Sequence, residues 1–194
     1  MSENMSAIEV LNIIPKNPIT KFNNQYSFQI VIDIKSILKK EIIWKMTYII
    51  SDNQNDDQIL SQYIISPPNQ IGTMKFEFKG DPPSIDKMKE NDLLGAAAIV
   101  LSSSYNNQEF FRCGYFLNVY FEDEEMNIDL PEIINVNHLV RNLLADNPKI
   151  FSFDINWEEG NEKNDNNTKE GFRELNITEN EKKDEKMNNS DKVD

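Results

Sequence analysis

Alternation of apolar and polar residues with a period of two runs through much of the first 157 positions. Residues 26–34 (YSFQIVIDI) place Tyr26, Phe28, Ile30, Ile32 and Ile34 on one side and Gln29 and Asp33 on the other. That is the pattern of a strand with one buried face. Residues 42–50 (IIWKMTYII) set Trp44, Met46 and Tyr48 opposite Ile43, Lys45, Thr47 and Ile49, and residues 72–79 (GTMKFEFK) alternate again. Residues 7–15, 58–66 and 149–157 are also strand-like in composition. Breaks fall at 15–18, 51–57, Pro67-Pro68 and 80–83, where proline, glycine, asparagine and aspartate cluster, each a residue suited to turns. Two segments predict helix instead. One is a turn or two over 84–90 with Ser84 as N-cap. The other is 137–146 (NHLVRNLLAD), where Leu139, Val140, Leu143 and Leu144 fall on one helical face before Pro148.

The longest element is the pair of arms in 95–121 (GAAAIVLSSSYNNQEFFRCGYFLNVYF). Asn106-Asn107 tolerates positive φ, so a tight hairpin turn fits there. Split with a period of two, the second arm puts Phe111, Cys113, Tyr115, Leu117, Val119 and Phe121 on a core face. Phe110, Arg112, Gly114, Phe116, Asn118 and Tyr120 fall on the other, where a cation sits among exposed aromatic surface, as at protein-binding faces. About eight short strands with little helix predict an all-β, antiparallel β-sandwich, with a barrel as the alternative.

Composition divides the chain. Residues 158–194 hold twelve acidic and seven basic residues and few apolar ones, so they account for −5 of the net charge of −13. Such a segment cannot bury enough surface to fold and is expected to be a disordered acidic tail behind a folded core at 1–157. The net charge disfavours direct binding to nucleic acid, which needs an excess of Lys and Arg, and suits a basic protein partner. One cysteine, Cys113, excludes an internal disulfide. The amino terminus lacks a secretory signal pattern and no apolar run is long enough to span a bilayer, so a reducing nuclear or cytoplasmic compartment is expected.

Catalytic chemistry has no anchor. His138 is the one histidine, which leaves no zinc site of the usual kind. Neither a G-x-G-x-x-G nor a P-loop is present, and no G-x-S-x-G accompanies His138. Asp52, Asp56 and Asp57 lack the spacing of a calcium-binding EF-hand loop. A non-enzymatic binder with no metal and no cofactor is therefore expected.

Four motifs resemble the anti-silencing-function histone chaperones. They are Trp44-Lys45 with Tyr48; Tyr105 with Gln108-Glu109-Phe110, Arg112, Gly114 and Tyr115; Arg141-Asn142, Leu144-Ala145 and Asn147-Pro148; and Phe153 with Ile155-Asn156-Trp157-Glu158. Their order and spacing fit over roughly residues 6–158. The resemblance implies an immunoglobulin-like sandwich that binds a dimer of histones three and four in nucleosome assembly and disassembly. It implies a monomer in the nucleus, with a cytoplasmic pool. The alternative is a β-sandwich adaptor for a different basic protein.

Carried over by position, the resemblance implies a histone-three face at Asp57, Asp92, Ala96, Ala98, Val100, Arg112, Tyr115 and Phe116. It implies a histone-four strand beside Leu144, Pro148, Lys149 and Ile150, and an apolar groove for assembly-factor peptides at Glu41, Ile65 and Phe76. Ala98, Phe116 and Lys149 stand where the family usually has Val, Tyr and Arg, and Lys40-Glu41 stands where it has two acids. One conflict emerges. A strict two-residue turn at Asn106-Asn107 makes Ala98 face Tyr115, so Ala98 could not share a face with Arg112 and Phe116. Either a β-bulge lies between Gln108 and Phe116, with Gly114 its expected place, or Arg112 and Phe116 reach a partner around a sheet edge.

Overall fold

The computed structural model describes residues 6–50 and 57–157. The expected tail, 158–194, and most of the acidic loop at 51–57 lie outside the described residues. Within them the chain forms ten strands, all paired antiparallel. They are β1 (Ile8–Lys16), β2 (Ile19–Lys21), β3 (Tyr26–Ile34), β4 (Ile42–Ile49), β5 (Gln58–Ile65), β6 (Gly72–Gly80), β7 (Gly95–Tyr105), β8 (Gln108–Phe121), β9 (Leu139–Leu143) and β10 (Lys149–Ser152). One sheet has the order β1-β3-β6 and the other β2-β9-β8-β7-β4-β5, with β10 also on β8. The two curl over one core as an immunoglobulin-like sandwich.

The period-two sequence stripes are the inner faces. Trp44, Tyr48, Phe28, Phe78, Tyr115 and Phe121 are among the largest fully buried side chains, and β3 and β4 alternate buried and half-buried along their whole length. β1 continues through Pro15 to Lys16, which an edge strand tolerates because a missing N–H can face away from the ladder.

The helix expected at 137–146 is absent. A 3-10 turn at Val136–His138 leads into β9, which pairs with β8 on one side and β2 on the other. Leu139, Val140, Arg141 and Leu143 are all buried there. A short strand buried on both faces loses alternation and so imitates a helical stripe. Arg141 explains how a cation survives in that place. Its Nη1 donates to the carbonyls of Phe22 (3.1 Å) and Asn24 (2.6 Å), and its Nη2 to that of Gln25 (2.8 Å). Its guanidinium carbon lies 3.4 Å from the centre of the Tyr26 ring. Desolvation lowers the Arg141 pKa.

One smaller expectation also changes. Residues 84–90 form a 3-10 turn, Ile85–Lys87, followed by another at Glu90–Asp92, and the Ser84 side chain makes no cap. Instead the Ser84 amide donates to Gln58 Oε1 (2.8 Å), while Gln58 Nε2 donates to the Ser84 carbonyl (3.1 Å), which ties the loop before β7 to the start of β5. The acidic break after β8 holds a short helix, α1 (Glu124–Ile128), with Asp123 accepting from the Glu125 amide at its N-cap.

Candidate functional site

The turn of the long hairpin is as the two asparagines predict: Asn106 and Asn107 have φ of 49° and 60°. Beyond it the register shifts. Tyr105 pairs with Gln108 and Ser104 with Glu109, but Ser103 pairs with Phe111, which leaves Phe110 as an extra residue on β8. The bulge is therefore at Phe110 and not at Gly114, which pairs regularly with Val100. Phe110 is buried against Trp157, ring centres 5.0 Å apart, although the period-two split puts it on the exposed side.

One inserted residue resolves the conflict over faces. After the bulge Ala98 pairs with Phe116, Val100 with Gly114 and Ser102 with Arg112. On the other side of β7, Ile49 pairs with Ala98, Thr47 with Val100 and Lys45 with Ser102. Three cross-strand rows result on the outer face of the larger sheet: Ile49–Ala98–Phe116, Thr47–Val100–Gly114 and Lys45–Ser102–Arg112. Small side chains occupy the middle of this face, and Phe116 stands proud at 55% exposed. Ala96 is exposed, one row further, opposite Asn118. Of the two expected acids, half-buried Asp92 ends the 3-10 turn before β7, and half-buried Asp57 immediately precedes β5. The Gln58–Ser84 bonds connect the segments that carry them.

The bulge also creates a contact that the sequence reading missed. Residues three apart on a regular strand point to opposite faces. With Phe110 inserted, Glu109 and Arg112 meet. Arg112 Nε donates to Glu109 Oε1 at 2.6 Å and Nη2 donates to Oε2 at 3.2 Å. The guanidinium also lies 5.8 Å from the centre of the Phe153 ring. The signal was present as Glu109-x-x-Arg112, but it reads as a pair only once the bulge is known.

Tyr115 departs from the expected face. It is 2% exposed, points into the sandwich, and its hydroxyl donates to the Ile13 carbonyl (3.3 Å) while its ring packs 5.6 Å from that of Phe28. The family resemblance implied a place for it on the binding face, whereas the period of two puts it inside, where it is found.

β8 carries both β9 and β10 on its far edge. Leu117 pairs with Leu143, whereas Gly114 pairs with Lys149. The two strands thus run on in one direction with an outward loop between them. The Leu144 amide donates to the Phe116 carbonyl (2.8 Å) at the loop's start. Leu144 and Lys149 are exposed, and Pro148 and Ile150 are half-buried. Among the described residues β10 pairs with β8 alone. A further backbone hydrogen bond runs from the Phe153 amide to the Phe110 carbonyl, 2.9 Å, so the bulge and the segment after β10 are joined.

Of the groove residues, Ile65 is buried and pairs with Ile42, the residue after exposed Glu41. Phe76 is half-buried on β6, stacked on Tyr63 (5.2 Å, 13° between planes) and edge-on to Trp44 at 5.8 Å. Tyr63 and Met74, which sequence reasoning left out, add exposed apolar surface along the same pair of strand edges.

A family model described as "ASF1 like histone chaperone" matches residues 5–158. The chain belongs to this family. It is 37% identical over 155 residues to "Histone chaperone ASF1" of Yarrowia lipolytica, covering 79% of this chain and 58% of that protein. It is 36% identical over 159 residues to the Saccharomyces cerevisiae protein of the same name, covering 81% and 57%. It is 32% identical over 154 residues to "Probable histone chaperone ASF1A" of Arabidopsis thaliana, covering 79% and 78%. The alignment therefore spans less than two thirds of either fungal relative's length. The relatives are named as histone chaperones and not for a reaction.

Proposed function

We propose that this protein is a histone chaperone that binds the histone-three/histone-four dimer, covers its tetramer-forming surface and passes it on in nucleosome assembly and disassembly. The observation that carries this reading is the outer face of the larger sheet. Small side chains at Ala96, Ala98 and Val100 form a shallow apolar floor, with Phe116 and Arg112 on one side and Asp57 and Asp92 toward one end. A helix with an apolar stripe and charged flanks fits such a floor, because apolar burial supplies affinity and the charged rim supplies register. Arg112 pairs with a histone carboxylate, and the two aspartates meet basic histone side chains. The acidic net charge steers a basic partner toward the face.

The same reading places a histone-four strand along β10, beside Leu144, Pro148, Lys149 and Ile150, adding backbone hydrogen bonds to a sheet edge. The Leu144–Phe116 link makes that edge continuous with the histone-three face. Glu41, Ile65 and Phe76 receive a peptide of an assembly factor. Residues 1–157 are the binding core, 158–194 an acidic extension, and the place of action is the nucleus. Mixing the full chain with purified histone-three/histone-four dimer and following the mass of the product in solution tests the reading. A stoichiometric complex with one copy of each protein is expected. Histone tetramer that persists beside free chaperone would overturn it.

A further inference from the structure

The end of the sandwich that holds the hairpin turn carries a feature that histone binding does not use. Residues 35–40 (KSILKK) contain three lysines and no acid in a chain of net charge −13. Lys35 is paired with Glu9. Lys39 and Lys40 are exposed, and Lys40 Nζ donates to a neutral acceptor, Asn106 Oδ1, at 2.7 Å. Beside these lysines stand two aliphatic side chains, Ile37 and Ile71, each 67% exposed. Their loops are joined by the Leu38 amide, which donates to the Pro68 carbonyl at 3.2 Å. This is a basic and apolar patch on an acidic protein.

The chain itself leads an acidic and apolar segment to the same place. After β10 it runs along the hairpin to its tip, where the Asn156 amide donates to Gln108 Oε1 and the Trp157 ring stacks on Tyr105, 5.5 Å between centres. Trp157 and Lys40 thus flank one turn, Asn106-Asn107. Residues 158–194 continue from there, and within them 170–181 (EGFRELNITENE) combine Phe172, Leu175 and Ile177 with four glutamates and one arginine. Phe172 follows Trp157 by a stretch that can extend to about 50 Å, enough to reach any part of this end of the sandwich.

We infer that residues 170–181 dock in cis on the patch formed by Ile37, Ile71, Lys39 and Lys40. Apolar side chains of the segment cover the two isoleucines and its glutamates face the lysines. Charge complementarity and the short covalent tether both favour this occupant over a separate molecule, since a short tether raises the local concentration to the millimolar range.

A nitroxide on Asn180→Cys in the full chain tests the inference by nuclear magnetic resonance. Cys113 is wholly buried and its thiol is pushed up to about 12, so the label goes to position 180. At millimolar effective concentration a site of millimolar affinity is about half occupied, and a nitroxide held nearby for that share of the time should remove most of the intensity of the Ile37, Leu38 and Ile71 amides. Those of α1, at the opposite end of β8, should keep theirs. Lys39→Glu with Lys40→Glu, both on the surface, should restore the lost intensity, and so should high salt. Broadening that is uniform, that centres on Ala98 and Phe116, that fades on dilution, or that survives the double substitution would each overturn cis docking at this patch. None of these outcomes depends on histone binding, so the two proposals fail separately.

Discussion

Glu109→Gln is the most informative single change near the proposed histone-three face. Arg112 spends two of its five N–H donors on Glu109, Nε and one from Nη2. Both Nη1 donors and the second Nη2 donor remain for a partner carboxylate, approached end-on. Glu109 therefore acts as a positioner of the guanidinium and not as a rival to the incoming carboxylate. The side chains are 49% and 30% exposed, so solvent screens the pair and its worth to folding is about 1 kcal/mol or less. Its worth to binding is the ordering it supplies in advance, about 0.5–1.5 kcal/mol for one long side chain. Glutamine keeps the shape and removes the charge and one of the two strong acceptors. Affinity for the histone-three/histone-four dimer, read by fluorescence titration, should fall about 3- to 10-fold. The urea midpoint should move little. Unchanged or tighter binding would mean that Glu109 competes for Arg112 in the free protein, and would refute the positioning argument.

Two further predictions concern the fold that holds this face. Arg141→Met removes three hydrogen bonds to the carbonyls of Phe22, Asn24 and Gln25 and should destabilise the chain by about 2–4 kcal/mol in urea titration; a loss under about 0.5 kcal/mol would contradict a clamping role. Burial raises Cys113 and Tyr26 from ordinary values of 9.0 and 10.0 to about 12 each. The folded chain then keeps protons that the unfolded chain releases, so stability is full below pH 9 and declines as pH rises from 9 through 12. Each group contributes a slope of at most about 1.4 kcal/mol per pH unit. The fluorescence of Trp44, wholly buried, reports the urea midpoint, and a midpoint that does not fall above pH 9 would show that these protons are not retained by burial.

Much of the sandwich was legible because its inner faces obey a period of two: β3, β4 and the core side of β8 were readable residue by residue. β9 was not, because both of its faces and both of its edges are covered, and its one cation is solvated by carbonyls and an aromatic ring instead of water. β2 was too short to leave a pattern. At the site, the turn at Asn106-Asn107 was readable from residue type, but the register was not. Phe110 reads as an ordinary aromatic strand residue, and only its pairing shows that it is inserted. From that one residue follow the shared face of Ala98, Arg112 and Phe116 and the Glu109–Arg112 pair. Tyr115 illustrates the reverse: alternation put it inside, whereas the family resemblance drew it onto the binding face, and alternation matches its burial.

Ala98 lies at the centre of the Ile49–Ala98–Phe116 row, so Ala98→Arg tests the central claim most directly. A long cation there fills the shallow floor while leaving the inner face of β7 untouched, so the urea midpoint should stay within about 1 kcal/mol of the parent. Titrated with the histone-three/histone-four dimer, the variant should bind at least about 100-fold more weakly, the loss of a central contact of about 3 kcal/mol. A variant that remains folded and binds the dimer as the parent does would contradict the claim that this face of the sheet is the histone-binding surface.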